Sequence, residues 1–198
     1  MLTKSRNKVW PIVLIILAIA AIYSIIIYNK LVKLDENVKL NWANLQNTYQ
    51  RRLDLTPNLV TVVKGSSDYE KQTLAQLAAA RAKASQVTIS AVSPDVNNYN
   101  KQEQAQAEVV NSLNRLIAII ERYPDLKSTK NFLYLQSQLE GTERRIKVSR
   151  NDFNAAVAQF NKLVRSFPSS IIVSLCGYRP KEGFKSETGS DKAPDVKF

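Results

Sequence analysis

From Val9 to Asn29 the chain carries no charged side chain, and Val9–Tyr28 (VWPIVLIILAIAAIYSIIIY) is apolar almost throughout. A helix of that composition has no polar face, so it must be covered on every side by protein or by lipid. Twenty residues rising ~1.5 Å each make ~30 Å, the thickness of the hydrocarbon core of a bilayer. Trp10 and Tyr28 stand at its two ends, where amphipathic rings suit the membrane interface. Pro11 falls in the first turn, where a missing N–H costs least. Lys4, Arg6 and Lys8 ahead of the run would also suit a signal peptide. The run exceeds a ~7–15-residue signal core, however, and bulky Ile25-Ile26-Ile27-Tyr28 replaces a small-residue cleavage site. The expectation is a short basic tail, residues 1–8, and an uncleaved single-pass transmembrane helix, residues 9–28. Three cations precede the span and three (Lys30, Lys33, Lys39) follow it closely. The positive-inside count is a tie, and leaves the side open.

Beyond the span the pattern is helical. Apolar residues recur at Leu31, Leu34, Val38, Trp42, Leu45, Tyr49 and Leu53, with steps of 3, 4, 4, 3, 4 and 4. That is an eleven-residue repeat at ~3.67 residues per turn, which keeps one stripe on a nearly straight helix. Neither Gly nor Pro interrupts residues 12–56, so the membrane helix is expected to run into the domain and stop at Thr56-Pro57. A second helix is predicted from Pro57 to Ser85 through Leu59, Val60, Val63, Leu74, Leu77, Ala78 and Arg81, with a weak point at Gly65-Ser66-Ser67. Residues 86–100, which include Pro94, read as the one long loop. A third helix carries Val109, Leu113, Leu116, Ile117 and Ile120 and ends at Tyr123-Pro124. The fourth follows a heptad-like seam from Phe132 through Thr142, Ile146, Ser149, Phe153 and Phe160 to Phe167. No single stripe can bury itself, so the fold class expected is all-α. The N-terminal transmembrane helix leads into an elongated antiparallel four-helix bundle over residues 29–168. An extended coiled-coil dimer is the alternative; breaks near 57, 94 and 124 favour folding back. Residues 169–198 read as an extended C-terminal tail, with Tyr178, Phe184 and Phe198 available to dock it.

Composition closes off most chemistry. The 198 residues include no His and one Cys, Cys176. Without imidazole there is no Ser-His-Asp triad, Cys-His pair or His-ligated zinc, and one thiol forms no intrachain disulfide. No phosphate-binding, dinucleotide or EF-hand motif occurs. The expectation is therefore no catalytic residue, no cofactor, no metal and no enzyme. A net charge of +11 favours acidic partners, but no block of five like charges occurs, so a solvated basic surface is expected rather than nucleic-acid binding.

Two charged segments stand out. Arg51-Arg52-x-Asp54 lies at the end of the first helix, and Glu143-Arg144-Arg145 lies midway along the fourth. Antiparallel packing would let Arg51, Arg52, Asp54, Glu143, Arg144 and Arg145 meet as an ion network, which fixes register more than it adds stability. The alternative is an anion-binding site on Arg51, Arg52, Arg144 and Arg145. Trp42 on the apolar stripe reads as core. Adjacent Asp35 and Glu36 splay apart on a helix and make a poor pair. Tyr69 and Glu70 follow the weak point without an interpretable partner, and Cys176 in its apolar strip reads as a small inert hydrophobe.

The ordered blocks Tyr28-Asn29-x-Leu31-Val32, Trp42-Ala43-Asn44, Arg51-Arg52-x-Asp54-Leu55-x-Pro57-Asn58-Leu59-Val60 and Val63-Lys64-Gly65 resemble the LemA family of bacterial proteins. So do Ala80-Arg81, Tyr123-Pro124-Asp125-Leu126-Lys127, Asn131-Phe132, Leu135-Gln136, Thr142-Glu143-x-Arg145-Ile146 and Phe167-Pro168. Tyr69, Arg144 and Cys176-Gly177-Tyr178 depart from the residues usual there. The resemblance implies a membrane-anchored antiparallel helical bundle in the bacterial inner membrane, with no agreed biochemical activity. Members are often encoded near membrane proteases or TPM-domain proteins. A scaffold role is implied, with the lipid bilayer and such a protein as partners and no nucleic acid.

Overall fold

The computed structural model describes residues 9–64, 71–87 and 96–184; side chains are described from residue 10 and, in the third stretch, from residue 99. It is all-helical: α1 (Val9–Lys64), α2 (Lys71–Gln86), α3 (Val96–Ile120), α4 (Pro124–Lys127), α5 (Lys130–Arg165) and α6 (Ser169–Leu175), with no strand among the described residues. Two compact units share α1 and α5. One joins the chain up to Val38 with Ala155–Lys181, and the other joins Lys39–Asn154 with the chain from Glu182. Lys4, Arg6, Lys8, Gly65, Tyr69, Glu70, Pro94 and Phe198 lie outside the described residues.

The first helix does not stop at Thr56-Pro57. α1 is 56 residues long and contains Pro57. Proline lacks the N–H that would bond the carbonyl four residues back, which here is that of Leu53. Arg81 of α2 fills the vacancy, its Nε donating to the Leu53 carbonyl at 3.0 Å. Thr56 and Thr61 hydroxyls donate to the carbonyls of Arg52 and Pro57, both at 3.0 Å. The proline is tolerated because a neighbouring helix supplies the missing donor. The second helix is correspondingly shorter than expected. Within the stretch expected as a loop, Val96 onward is already α3.

Burial along α1 also corrects the repeat. The residues turned inward are Leu31, Asp35, Val38, Trp42, Leu45, Tyr49, Arg52, Thr56, Leu59 and Val63. Their steps alternate between three and four, a seven-residue repeat at ~3.5 per turn rather than 3.67. Leu53 is buried beside Arg52, while Leu34 is only half-buried. The apolar-only count slipped because two heptad positions hold Asp35 and Arg52. α3 follows the same rule, with Tyr99, Gln102, Gln106, Val109, Leu113, Leu116 and Ile120 inward.

In the unit containing Lys39–Asn154, Leu53, Leu59 and Val63 of α1 form one core with Leu74, Leu77, Ala80 and Ala84 of α2. Val109, Leu113, Leu116 and Ile120 of α3 and Phe132 and Leu139 of α5 join it. Ala78 is exposed. Two α1–α5 contacts, Trp42 with Phe153 and Arg52 with Glu143, fix those helices as antiparallel.

The seam of α5 is buried from Phe132 to Val164 except at half-buried Ser149, but Phe167 is 82% exposed. The tail is not extended from its start: Ser169–Leu175 forms α6. Gly177 ends it with φ +76. The N–H of Tyr178 donates to the Val173 carbonyl and that of Gly177 to the Ser174 carbonyl, the pairing of a Schellman stop. Cys176 is exposed rather than packed. Beyond it the chain is non-helical through Phe184.

Candidate functional site

Trp42 sits fully buried at the centre of an aromatic group. Its ring lies 4.8 Å from Tyr99, 5.4 Å from Phe153 and 6.0 Å from Phe184. Phe184 belongs to the tail, and its backbone is held in place by a side chain of α5. Asn154 Nδ2 donates to the Phe184 carbonyl at 3.2 Å, and the Phe184 N–H donates to Asn154 Oδ1 at 2.9 Å. A Cβ at Gly183 would stand 2.6 Å from Asn154 Oδ1, so any larger residue would have to displace the amide that makes this clamp. In the other unit, Asn161 and Lys181 make the same two-way pairing at 2.7 and 2.8 Å. Lys181 Nζ also bonds Asp35 at 2.8 Å, which explains a carboxylate on the inner stripe of α1.

About two and three turns along α1 from Trp42 stand Tyr49 and Arg52. The Arg52 side chain is 4% exposed. Its Nε donates to Glu143 Oε1 at 2.7 Å and its Nη2 to Oε2 at 2.5 Å, a two-pronged fork, while Nη1 donates to Gln106 Oε1 at 2.9 Å. Such charge-assisted pairs are the stronger hydrogen bonds in proteins. Arg150 pairs with Glu103 at 2.6 Å and lies 4.8 Å from the centre of the Phe184 ring. Between these pairs lies a cleft of about 510 Å³ whose walls include Tyr49, Arg52, Glu103, Gln106, Glu143, Lys147, Arg150 and Phe184. The Tyr49 phenol is pushed up to about 12, because burial outweighs the opposing pull of the Arg150 and Arg52 charges; Glu103 and Glu143 push the same way as burial. Gln106 Nε2 is buried without a hydrogen-bond partner among the described residues.

Of the six charged residues expected to meet, the structure joins Arg52 and Glu143. Arg51 also reaches α5, but it bonds Gln138 at 3.1 Å rather than an acid. Asp54 accepts from Gln50 on its own helix at 2.8 Å. Arg144 and Arg145 are exposed and line a separate groove of about 460 Å³ with Thr48, Gly141, Val148 and Ser149. Neither makes an ion pair among the described residues. Gln106, Glu103 and Arg150 are not singled out by the sequence, and Asp35 stands out there only beside Glu36, as a poor carboxylate pair. Gln106 was detectable as a polar residue at a heptad position between Tyr99 and Val109. The Glu103–Arg150 pairing left no sequence signal, because it depends on how α3 packs on α5.

Chemically, the cleft holds two ion pairs, Arg52 with Glu143 and Arg150 with Glu103. Arg52 has committed three of its donors, and the two carboxylates each face a guanidinium. Among the described residues no group of three or more Cys, Asp or Glu is placed to hold a metal ion.

Residues 41–198, which carry all of these contacts except those of Asp35, match the model of the LemA family. The chain belongs to the LemA family. It is 23% identical over 181 residues to magnetosome proteins MamQ 1 and MamQ 2 of Paramagnetospirillum magneticum, covering 83% of this chain. It spans 66% of those proteins' length. To protein LemA of Metamycoplasma hominis it is 24% identical over 164 residues, 81% of this chain and 71% of that protein. To magnetosome protein MamQ of Magnetospirillum gryphiswaldense it is 31% identical over 81 residues, 41% of this chain and 30% of that protein. For this LemA-family chain the matched region holds the Arg52 fork, the aromatic group and the tail clamps, while the apolar run lies ahead of it.

Proposed function

We propose that this LemA-family protein is a single-pass, membrane-tethered interaction module of the bacterial envelope. In this reading residues 9–28 cross the inner membrane, residues 29–168 form an antiparallel four-helix bundle, and the bundle acts by binding protein rather than by catalysis. The carrying observation is the continuity of α1. One helix passes from a fully apolar stretch, long enough to cross a bilayer, into the inner stripe that packs α3 and α5. Pairing of the charges in the cleft supports a scaffold over an enzyme, since general acid–base chemistry uses groups poised to exchange protons.

A second reading, a sensor of an anionic ligand, is favoured by the groove beside Arg144 and Arg145. It does not extend to Arg52, whose donors would have to leave Glu143, or readily to Arg51, which serves Gln138.

The test is site-specific photo-crosslinking in intact membranes from Arg144 and, on the exposed side of α5, Tyr134. The interaction reading expects a discrete protein adduct, such as a membrane protease or TPM-domain protein, lost when the chain is expressed without residues 1–28. Adducts indistinguishable from those of an unrelated membrane-tethered helix would refute it. Saturable binding of inorganic phosphate or a carboxylate, abolished by Arg144→Ala with Arg145→Ala, would favour the second reading.

A further inference from the structure

α6 presents an apolar face that none of the described residues covers. Ser169 and Val173 are buried, whereas Ile171 and Leu175, one turn apart, are 55% and 83% exposed, and Phe167 in the preceding turn is exposed too. Three large apolar side chains in so short a stretch would be unfavourable in water.

Contacts within the unit of residues up to Val38 and Ala155–Lys181 give the height of this face. Lys181 bonds Asp35 of α1 through Nζ and Asn161 of α5 through its backbone, so Asp35 and Asn161 stand level. α5 runs opposite to α1 and ends four residues later, ~6 Å on, level with Leu31. The following turn and α6 therefore stand beside Ile27 and the residues before it. Burial on α1 agrees. From Trp10 to Tyr28 every residue is exposed except Ile27, which is buried, and Tyr23 and Ser24, which are half-buried on the same side. By register and burial together, α6 is assigned to the side of α1 that carries Tyr23, Ser24 and Ile27. Charge adds a second, independent mark. Between Asp152 and Glu182 there is no acid, while Lys162, Arg165 and Arg179 are exposed.

We propose that α6 is an interfacial helix that beds into the headgroup layer of an anionic bilayer beside the exit of α1. Phe167, Ile171 and Leu175 enter the acyl boundary, and Lys162, Arg165 and Arg179 meet lipid phosphates. The proposal rests on the reading of residues 9–28 as membrane-crossing. It gives the protein two membrane contacts, one along the span and one at its exit.

The single cysteine makes the test direct. In full-length protein carrying Cys176→Ser, nitroxides are placed singly through Ile19→Cys, Ile171→Cys, Leu175→Cys and Glu182→Cys. Each is reconstituted in vesicles of phosphatidylcholine with phosphatidylglycerol, and collisions with oxygen, which partitions into lipid, are compared with those of a water-soluble nickel chelate. Positions 171 and 175 should report lipid and position 182 water. Replacing Arg165 by Glu, or omitting phosphatidylglycerol, should shift 171 and 175 toward water, about fivefold for each cation lost. If 171 and 175 are as wet as 182 while 19 stays in lipid, α6 is not interfacial, although the span stands. If 19 is also wet, the membrane reading itself fails. Shielding from both reagents with spin–spin broadening would place a second copy of the chain on this face and overturn the proposal. Equal depth in both lipid mixtures would overturn its dependence on anionic lipid.

Discussion

Replacing Arg52 or Glu143 probes the contact that joins the first and last long helices. Arg52 is nearly inaccessible at 4%, whereas the Glu143 side chain is 46% exposed. Breaking a fully buried pair costs ~3–5 kcal/mol, and an exposed one contributes ~0–1. Arg52→Ala removes the fork, the bond to Gln106 and a packed aliphatic stem, so it should cost ~3–4 kcal/mol. Glu143→Ala leaves the guanidinium with Gln106 and partial access to water, so it should cost ~2 kcal/mol. The two residues share one interaction, and the double variant should fall short of the sum by ~1–2 kcal/mol. Arg51→Ala, at an exposed bond to an amide, should cost no more than ~0.5 kcal/mol. Denaturant unfolding of the full chain in detergent micelles, followed by far-UV circular dichroism, gives each value. Additivity of Arg52→Ala and Glu143→Ala within ~0.5 kcal/mol would refute the reasoning.

Other parts of the account have their own tests. Arg81→Met should cost ~1–3 kcal/mol by orphaning the Leu53 carbonyl, and Pro57→Ala, which restores the backbone donor, should suppress most of that loss; an unchanged cost in the Pro57→Ala background would exclude the compensation. Gly183→Ala should destabilise by ~1–2 kcal/mol through the clash with Asn154 and speed protease cleavage within residues 177–184; cleavage at the unaltered rate would show that the clamp does not hold the tail. The raised Tyr49 phenol implies that the folded state binds the more protons between pH 10 and about 12. Its contribution, at most ~2–3 kcal/mol, is complete below pH 10 and lost as pH rises through 12. Tyr49→Phe should remove that part of the alkaline decline, and identical alkaline curves for the two proteins would contradict it.

The all-helical class, the long helices α3 and α5 and the antiparallel meeting of Arg52 with Glu143 were legible because a break near 124 and long apolar stripes constrain folding back; the short α4 and α6 and the run of α1 through Pro57 were not. The details lost were those in which a polar residue took an apolar position or a tertiary contact replaced a local rule. Pro57 is a stop signal locally, and only Arg81 from another helix cancels it. Asp35 and Arg52 broke the apolar count because their partners, Lys181 and Glu143, are distant in sequence. The strip Ile171–Cys176 has no helical period long enough to recognise. Only its glycine stop at Gly177 could have marked α6, and only packing reveals which of its faces is bare. Arg144 and Arg145 look equivalent to Arg51 and Arg52 in the sequence, but adjacent residues diverge by about 100° on a helix, so the members of a pair do not face one partner as a unit.

The claim on which the rest depends is that α1 enters the membrane as an uncleaved helix and leaves it as the first helix of the module. Alkaline carbonate washing of membranes containing the full chain tests it most directly, with a form lacking residues 1–28 as the comparison. The account predicts that the full chain stays in the pellet at its full mass, while the shortened form appears in the supernatant with a helical circular dichroism spectrum. Release of the full chain by carbonate, or recovery of a chain shortened at its N-terminus, would contradict it.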